Sequence, residues 1–488
     1  MRIVASRLAT AGLAMAALAV GSTSASAAAT EMSPPATAAP QDDASADEVA
    51  EESAPVHVLV KASRLIVRPG EELENTSVLI TDGRIISIGA ELEAPEGATV
   101  VEGAVVCAGF IDPWSALGME EASRVDRGAG PATKASDGWS PYADEHLREE
   151  ALRAGVTTIH LQGGSTAALG GLGALVRIGP SLGDEALVLS DVCLSATVGL
   201  SADGGFWGGV RAVDPFDRMQ QIDRIAQNLG SGQSYSESWA KYESEIVEWE
   251  KAIAEKEEEL EKDFKKAKKD REKDIEKAEE KGKEYKEKRY KEDRKPRRPK
   301  VDRDKAVLAR VANGEIPLVV EAHRASEIRG LLDAIEAFKR VRLVIAGGTE
   351  AKSQAERLAE RGVTVIVWPA LLGSSRYDEY ETHDLSLAGE LAEAGVKVLI
   401  GSGGREAAAT RDLPLLAASL VGHGLDRDVA FGALTIDAAR ALDVADRLGS
   451  VELGKDGELI VLTGDPLASA TRVQYVISAG RVVVTPED

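Results

Sequence analysis

Glu321 and His323 stand two residues apart in IPLVVEAHRASEI. On a strand, residues two apart face the same side, so this carboxylate and this imidazole can share a proton or hold one cation. His160 ends the run VTTIHL, and with Glu321 and His323 it would complete the three protein ligands that catalytic zinc requires. The other reading of both histidines is a hydrogen-bonded structural residue near a strand end. A second constellation is purely acidic: Asp112, Glu321 and Glu350, if gathered, would supply an acid and a base without metal. Asp112 in AGFIDPWSALG serves equally well as a hydrogen-bond acceptor. Glu350 in IAGGTEA stands where a helix opens after a strand, a position that acidic residues prefer. The glycine clusters GGLG (170–173) and GSGG (401–404) could cradle an anion on backbone amides, but they lack a phosphate-loop pattern and tight turns account for them.

Each of these residues lies at or just past the end of a short apolar run, and the runs alternate with amphipathic segments. Residues 144–154 precede GVTTIHL, 325–339 precede RLVIAGG, 352–361 precede GVTVIVW and 385–394 precede GVKVLIG. Helix followed by buried strand, repeated, is the signature of an α/β fold with a parallel sheet, and the number of units favours a distorted (β/α)8 barrel of TIM type over residues 108–448. Such a barrel gathers its site residues at the C-terminal ends of the strands. On either side of it the texture is all β: SVLITDGRIISIG carries an Asp-Gly hairpin signal at Asp82 and Gly83, and RVQYVISAGRVVV repeats the pattern near the end. Residues 55–107 and 449–488 are therefore expected to form one small β-sandwich domain from both ends of the mature chain. Within the barrel, residues 236–300 are an insertion. Ile246, Trp249, Ile253, Leu260 and Phe264 recur at helical spacing and then give way to Lys, Glu, Asp and Arg. Pairs four apart, such as Glu258 with Lys262, support a helix or helical hairpin in water. A docking coiled coil over 236–294 is the alternative.

Arg2 and Arg7, the apolar run from Leu8 to Val20 and the small residues SASA read as a signal peptide over residues 1–27. Residues 28–54, rich in Ala, Pro, Ser, Thr and acids, read as a disordered acidic linker. The expected location is thus periplasmic or secreted, with no transmembrane segment in the mature chain. The net charge is −23, although residues 250–300 hold 21 Lys and Arg against 17 Asp and Glu, which leaves −27 elsewhere. So acidic a body disfavours nucleic acid as a partner, and none is expected. Cys107 and Cys193 are too few for a disulfide framework, and their spacing alone does not pair them.

Six stretches, VVCAGFIDPW, LRAGVTTIHL, IPLVVEAHRASEI, LVIAGGTEA, LAEAGVKVLIGSGG and LTIDAARALDVADRLGSVELGKDGELIVLTGDPL, together resemble the amidohydrolase superfamily, specifically its imidazolonepropionase-like exported bacterial members. The resemblance runs from Val56 onward. It implies metal-dependent hydrolysis of non-peptide carbon–nitrogen bonds by zinc or another divalent cation. The first-strand histidine pair of that family falls here on Trp114 and Ala116, and a further histidine falls on Glu321. Another falls on Gly347, while the catalytic aspartate and the histidine that often follows it fall on Gly403 and Gly404; a lysine found in some subfamilies falls near Ser195. These replacements predict that no metal is held. What is expected is a degenerate-site pseudoenzyme that binds either a small molecule in the barrel mouth or an envelope protein on helix 236–294. The rival is an active hydrolase with an altered centre around Glu321 and His323. In the mouth, Trp114 opposite Ala116, Gly347 and Gly403, with His160 nearby, either lines a reshaped pocket for an uncharged or cationic compound or fills the hole.

Overall fold

A computed structural model describes residues 55–119, 130–163, 168–179, 183–202, 210–212, 214–282, 295–369, 384–404 and 406–486. The stretches read as signal peptide and linker lie outside these residues. The chain begins with β1 (His57–Arg68), β2 (Glu71–Thr81) and β3 (Arg84–Gly89) as antiparallel neighbours, and β4 (Thr99–Ala108) returns parallel to β1. The β2–β3 turn is the Asp-Gly pair, with φ of 47° at Asp82 and 80° at Gly83. Two positive φ angles in a two-residue loop match the right-handed twist of the flanking strands.

After β4 come β5 (Phe110–Ser115), α1 (Glu145–Arg153), β6 (Val156–Leu161), β7 (Ala174–Arg177), β8 (Leu187–Leu189) and β9 (Leu194–Thr197). A short ribbon, β10 (Leu200–Ala202) with β11 (Val210–Ala212), leads to α2 (Pro215–Glu280) and α3 (Arg303–Ala312). Four strand–helix repeats follow: β12 (Leu318–Ala322), α4 (Ala325–Ala334), β13 (Leu343–Gly347), α5 (Ala355–Arg361), β14 (Thr364–Val367), α6 (Leu387–Glu393), β15 (Lys397–Ile400) and α7 (Leu413–Gly422). Then come α8 (Arg427–Leu434), α9 (Ile436–Ala441), β16 (Leu459–Leu462), β17 (Val473–Ser478) and β18 (Arg481–Val484).

β5 and β6 form one parallel ladder, and β9, β12, β13, β14 and β15 form another. The reversed strand β7 lies between the two: it pairs antiparallel with β6, and Leu172 just before it bridges antiparallel to Leu194. Where β15 meets β5, side chains do the joining. The Ser402 amide donates to Asp112 Oδ1 at 3.1 Å, and Ser402 Oγ donates to the Trp114 carbonyl at 3.3 Å. The barrel thus has seven parallel staves and one reversed stave among the described residues. The staves are buried on both faces almost throughout, and their side chains alternate between the two faces with the period of two that a pleated strand imposes. Val319, Val344, Ile366, Leu399, Ile111 and Trp114 make an inner cluster, while the alternating Leu318, Val320, Ile345, Val365 and Val398 pack outward among the helices.

Both chain ends build the β-domain, and hydrogen bonds join them in a single seven-stranded sheet of order β18-β17-β16-β4-β1-β2-β3. A buried ionic cluster connects it to the barrel. Arg177 of β7 contacts Asp456 and sits 2.8 Å from Glu458, and Asp456 also takes Arg84 at 2.5 Å and Arg447 at 2.8 Å. Cys107 and Cys193 are both free and buried. No described helix is long and apolar enough to cross a membrane.

The insertion differs from expectation at its start: it is one 66-residue helix that begins at Pro215, well before residue 236. Its first turns are part of the core, with Ile222, Ile225 and Leu229 buried. At Gly232 the backbones of α2 and α3 come so close that a Cβ would lie 2.4 Å from the Leu308 carbonyl carbon. Farther along, Ile246, Trp249 and Ile253 are half-buried, and the side chains of Leu260 and Phe264 lie outside the described residues. The chain then comes back beside the helix, with Lys295 over the Trp249 ring at 5.5 Å and Arg298 over Trp239 at 5.2 Å. Residues 283–294 lie outside the described set.

Candidate functional site at the C-terminal end of the barrel

The period of two that buries Val319 inside the barrel also turns Glu321 and His323 inward from the end of β12. His160 takes the same place at the end of β6, and Trp114 on β5. At this level the barrel is filled by rings. Trp114, 1 % exposed, stacks parallel to Trp368 with centroids 6.5 Å apart and tilts against His160 at 5.9 Å. Trp368 in turn receives the edge of His323 at 5.5 Å. The order across the barrel is His160, Trp114, Trp368, His323. Ala116 is buried just past the end of that strand.

The glycines make room for those rings. A Cβ on Gly347 would lie 2.4 Å from His323 Cε1, and one on Gly404 would lie 2.9 Å from Trp114 Nε1. Gly403 meets Trp368 in the same way, and Gly173 meets His160. Gly347 and Gly404 also hold φ of 94° and 65°, which side chains rarely adopt. Clusters 170–173 and 401–404 therefore receive aromatic rings where an anion was one reading of the sequence.

The histidines have distinct environments. His160 Nδ1 is 2.8 Å from the Pro113 carbonyl, so Nδ1 carries the proton; Nε2, 3.3 Å from Cys193 Sγ, accepts from the thiol. Burial holds the His160 pKa down at about 4, against the raising effect of the Pro113 contact, so the ring is neutral at pH 7. Burial also pushes the Cys193 thiol up to about 12, which makes it an inert donor. On the other side of the stack, His323 Nδ1 is 2.7 Å from Thr349 Oγ1, and its Nε2 is 3.6 Å from Glu321 Oε1. Glu321 and His323 are thus neighbours, but His160 belongs to a different group. Among the described residues no three His, Cys, Asp or Glu side chains are placed to hold a metal ion.

The acidic constellation is likewise not gathered. Asp112 is buried, and its Oδ1 accepts the amides of Trp114 and Ser402 at 3.1 Å each, which makes it a clamp on the β5–β15 seam. Burial raises its carboxyl pKa, with hydrogen bonds from Ser402, Trp114 and Thr410 opposing. Glu350 is exposed and accepts the Ala325 amide at 2.8 Å, at the start of α4. The sequence reading missed Trp368, Cys193, Thr349 and Gln162, whose Nε2 donates to the Gly404 carbonyl at 2.9 Å. Trp368 had a signal: it closes the strand run VTVIVW at the level where barrel side chains converge.

Residues 302–483 match the model of the amidohydrolase family. Among solved structures, an amidohydrolase from Thermotoga maritima is similar over 88% of this chain and 100% of its own, with 23% identity and a TM-score of 0.65. An adenosine deaminase from Xanthomonas campestris with bound zinc aligns at 15% identity and TM-score 0.45, over 88% of this chain and 93% of its own. A Xaa-Pro dipeptidase with methionine in its active site aligns at 16% identity and TM-score 0.48, over 87% of this chain and 99% of its own. No curated protein matches at a significant level.

Proposed function

Because the chain belongs to the amidohydrolase superfamily, we propose that it is a family member in which metal-dependent hydrolysis has given way to binding. The observation that carries this reading is the place of the Trp114 indole. It stands at a position where the family resemblance calls for a histidine ligand, and it is packed between His160 and Trp368 with Gly404 against its edge. A divalent ion commonly serves this family, but the residues present do not fit one: an indole, a methyl group and three glycines stand at ligand positions, and Glu321 alone among the stand-ins could ligate, short of the three protein ligands a catalytic zinc needs.

The burial of Trp114 also weighs between the two binding modes. A compound held against this indole would have to displace a close-packed ring, whereas α2 offers a long helix with an exposed charged surface before residue 255. Binding of an envelope partner through this arm is therefore the favoured mode. The basic and apolar start of the chain, followed by SASA, supports export to the periplasm or the medium.

Elemental analysis of the full chain, purified without chelator, tests the central point. The expected result is less than a tenth of an equivalent of zinc, nickel, iron or manganese. One tightly held metal per chain would overturn the reading. Loss of that metal in a Glu321→Ala, His323→Ala double variant would then place an altered centre on the 3.6 Å Glu321–His323 pair.

A further inference from the structure

The opposite end of the barrel carries a cavity of about 580 Å³, bounded by the N-terminal ends of β13, β14 and β15 and by α9. Its inner wall includes Val344 and Leu399, residues of the barrel's interior cluster, so the cavity reaches toward the barrel axis. Around it stand six cations, Lys339, Arg340, Arg342, Arg361, Lys397 and Arg440, and one carboxylate, Asp437. A lining of net charge +5 is a sharp departure in a chain whose total is −23.

Some of this charge has local employment. Arg361 donates to the carbonyls of Phe338 and Lys339 at 2.7 and 3.1 Å, as cations near helix C-termini do. Arg342 forks onto Asp443 at 2.7 and 2.5 Å, and Arg440 pairs with Asp437 at 2.7 Å. These contacts fix three guanidinium groups in place. Lys339, Arg340 and Lys397 differ: all three are exposed and make no ion pair with the described residues. Like charges with no matching carboxylate repel one another. Gathered around a concavity, they focus a positive potential that attracts anions despite the negative body. The volume lies within the range of small-molecule sites.

We propose that this cavity is a binding site for a small polyanion, a molecule bearing two or more phosphate or carboxylate groups. The anchored arginines supply directed donors and the three unpaired side chains supply mobile charge, the combination that suits a compact multiply charged group. The site does not depend on the fate of the metal centre, from which the barrel interior separates it.

Titration calorimetry on the full chain at 0.15 M salt, with inorganic pyrophosphate in one arm and citrate in the other, tests the proposal. The expected result is saturable binding of one equivalent in at least one arm, and the tighter arm identifies the head group. In a Lys339→Gln, Arg340→Gln, Lys397→Gln variant the Kd should rise at least tenfold, with the thermal midpoint checked to show that the fold is intact. A Trp114→Phe variant should bind as the parent does. No saturable binding in either arm, or unchanged binding in the triple variant, would overturn the proposal.

Discussion

The two ends of this barrel are made by the same strands and have opposite chemistry. At the C-terminal end, where enzymes of this architecture hold their reacting groups, four rings lie in contact and glycines are cut back to admit them. At the N-terminal end an apolar floor is rimmed by cations that outnumber nearby carboxylates. The first end resembles a protein interior and the second a ligand site. The inward-facing residues between them, such as Val319, Val344 and Leu399, are those of an ordinary packed barrel. A barrel's frame is set by those layers, so what its rims carry can change while the fold remains.

If the C-terminal end is interior, its largest ring should be costly to remove. Trp114→Ala should lower unfolding stability by about 3–5 kcal/mol, read as a fall in the urea midpoint. A loss under about 1 kcal/mol would mean that the stack does not pack as a core does.

The next effect is one of pH. The His160 pKa is about 4 in the fold and 6.5 ordinarily, so the unfolded chain binds the proton more readily. The stability this confers is complete above pH 6.5 and is lost as pH falls toward 4, on the order of 3 kcal/mol in all. Asp112 works in the opposite sense, because its raised carboxyl pKa favours the folded state in acid. The difference between the parent and His160→Asn isolates the histidine: the variant's urea midpoint should change less between pH 7 and pH 4.5. Parallel profiles would show that His160 is not held neutral. The smallest effect belongs to the other end. The Lys339, Arg340, Lys397 triple Gln variant should keep its stability within about 0.5 kcal/mol. A large loss would show that those side chains serve packing instead of binding.

Much of the frame was legible because it rests on local pattern. The helix–strand units carry their period in a few residues, and the Asp82-Gly83 turn is decided by two. Trp114, Ala116, Gly347 and Gly403 could be singled out because the family resemblance implies other residues at those places. What filled the space was not. Trp368 reaches Trp114 across 254 positions of sequence, and Cys193 meets His160 only because the reversed strand β7 brings them together. The cationic rim was hidden for a different reason. Arg361 and Arg440 each stand in the last turn of a helix, where a cation is routine, and only the barrel sets them around one cavity. The start of α2 was missed because Ile222, Ile225 and Leu229 bury against other helices and belong to no charged repeat.

The length of α2 has a consequence for how its two halves behave. Sixty-six residues at 1.5 Å each make a helix of about 100 Å. Its first turns are buried at Ile222, Ile225 and Leu229, whereas most positions from 241 to 254 are exposed. Amide exchange along this one helix should therefore run from slow near Ile225 to fast beyond Trp249.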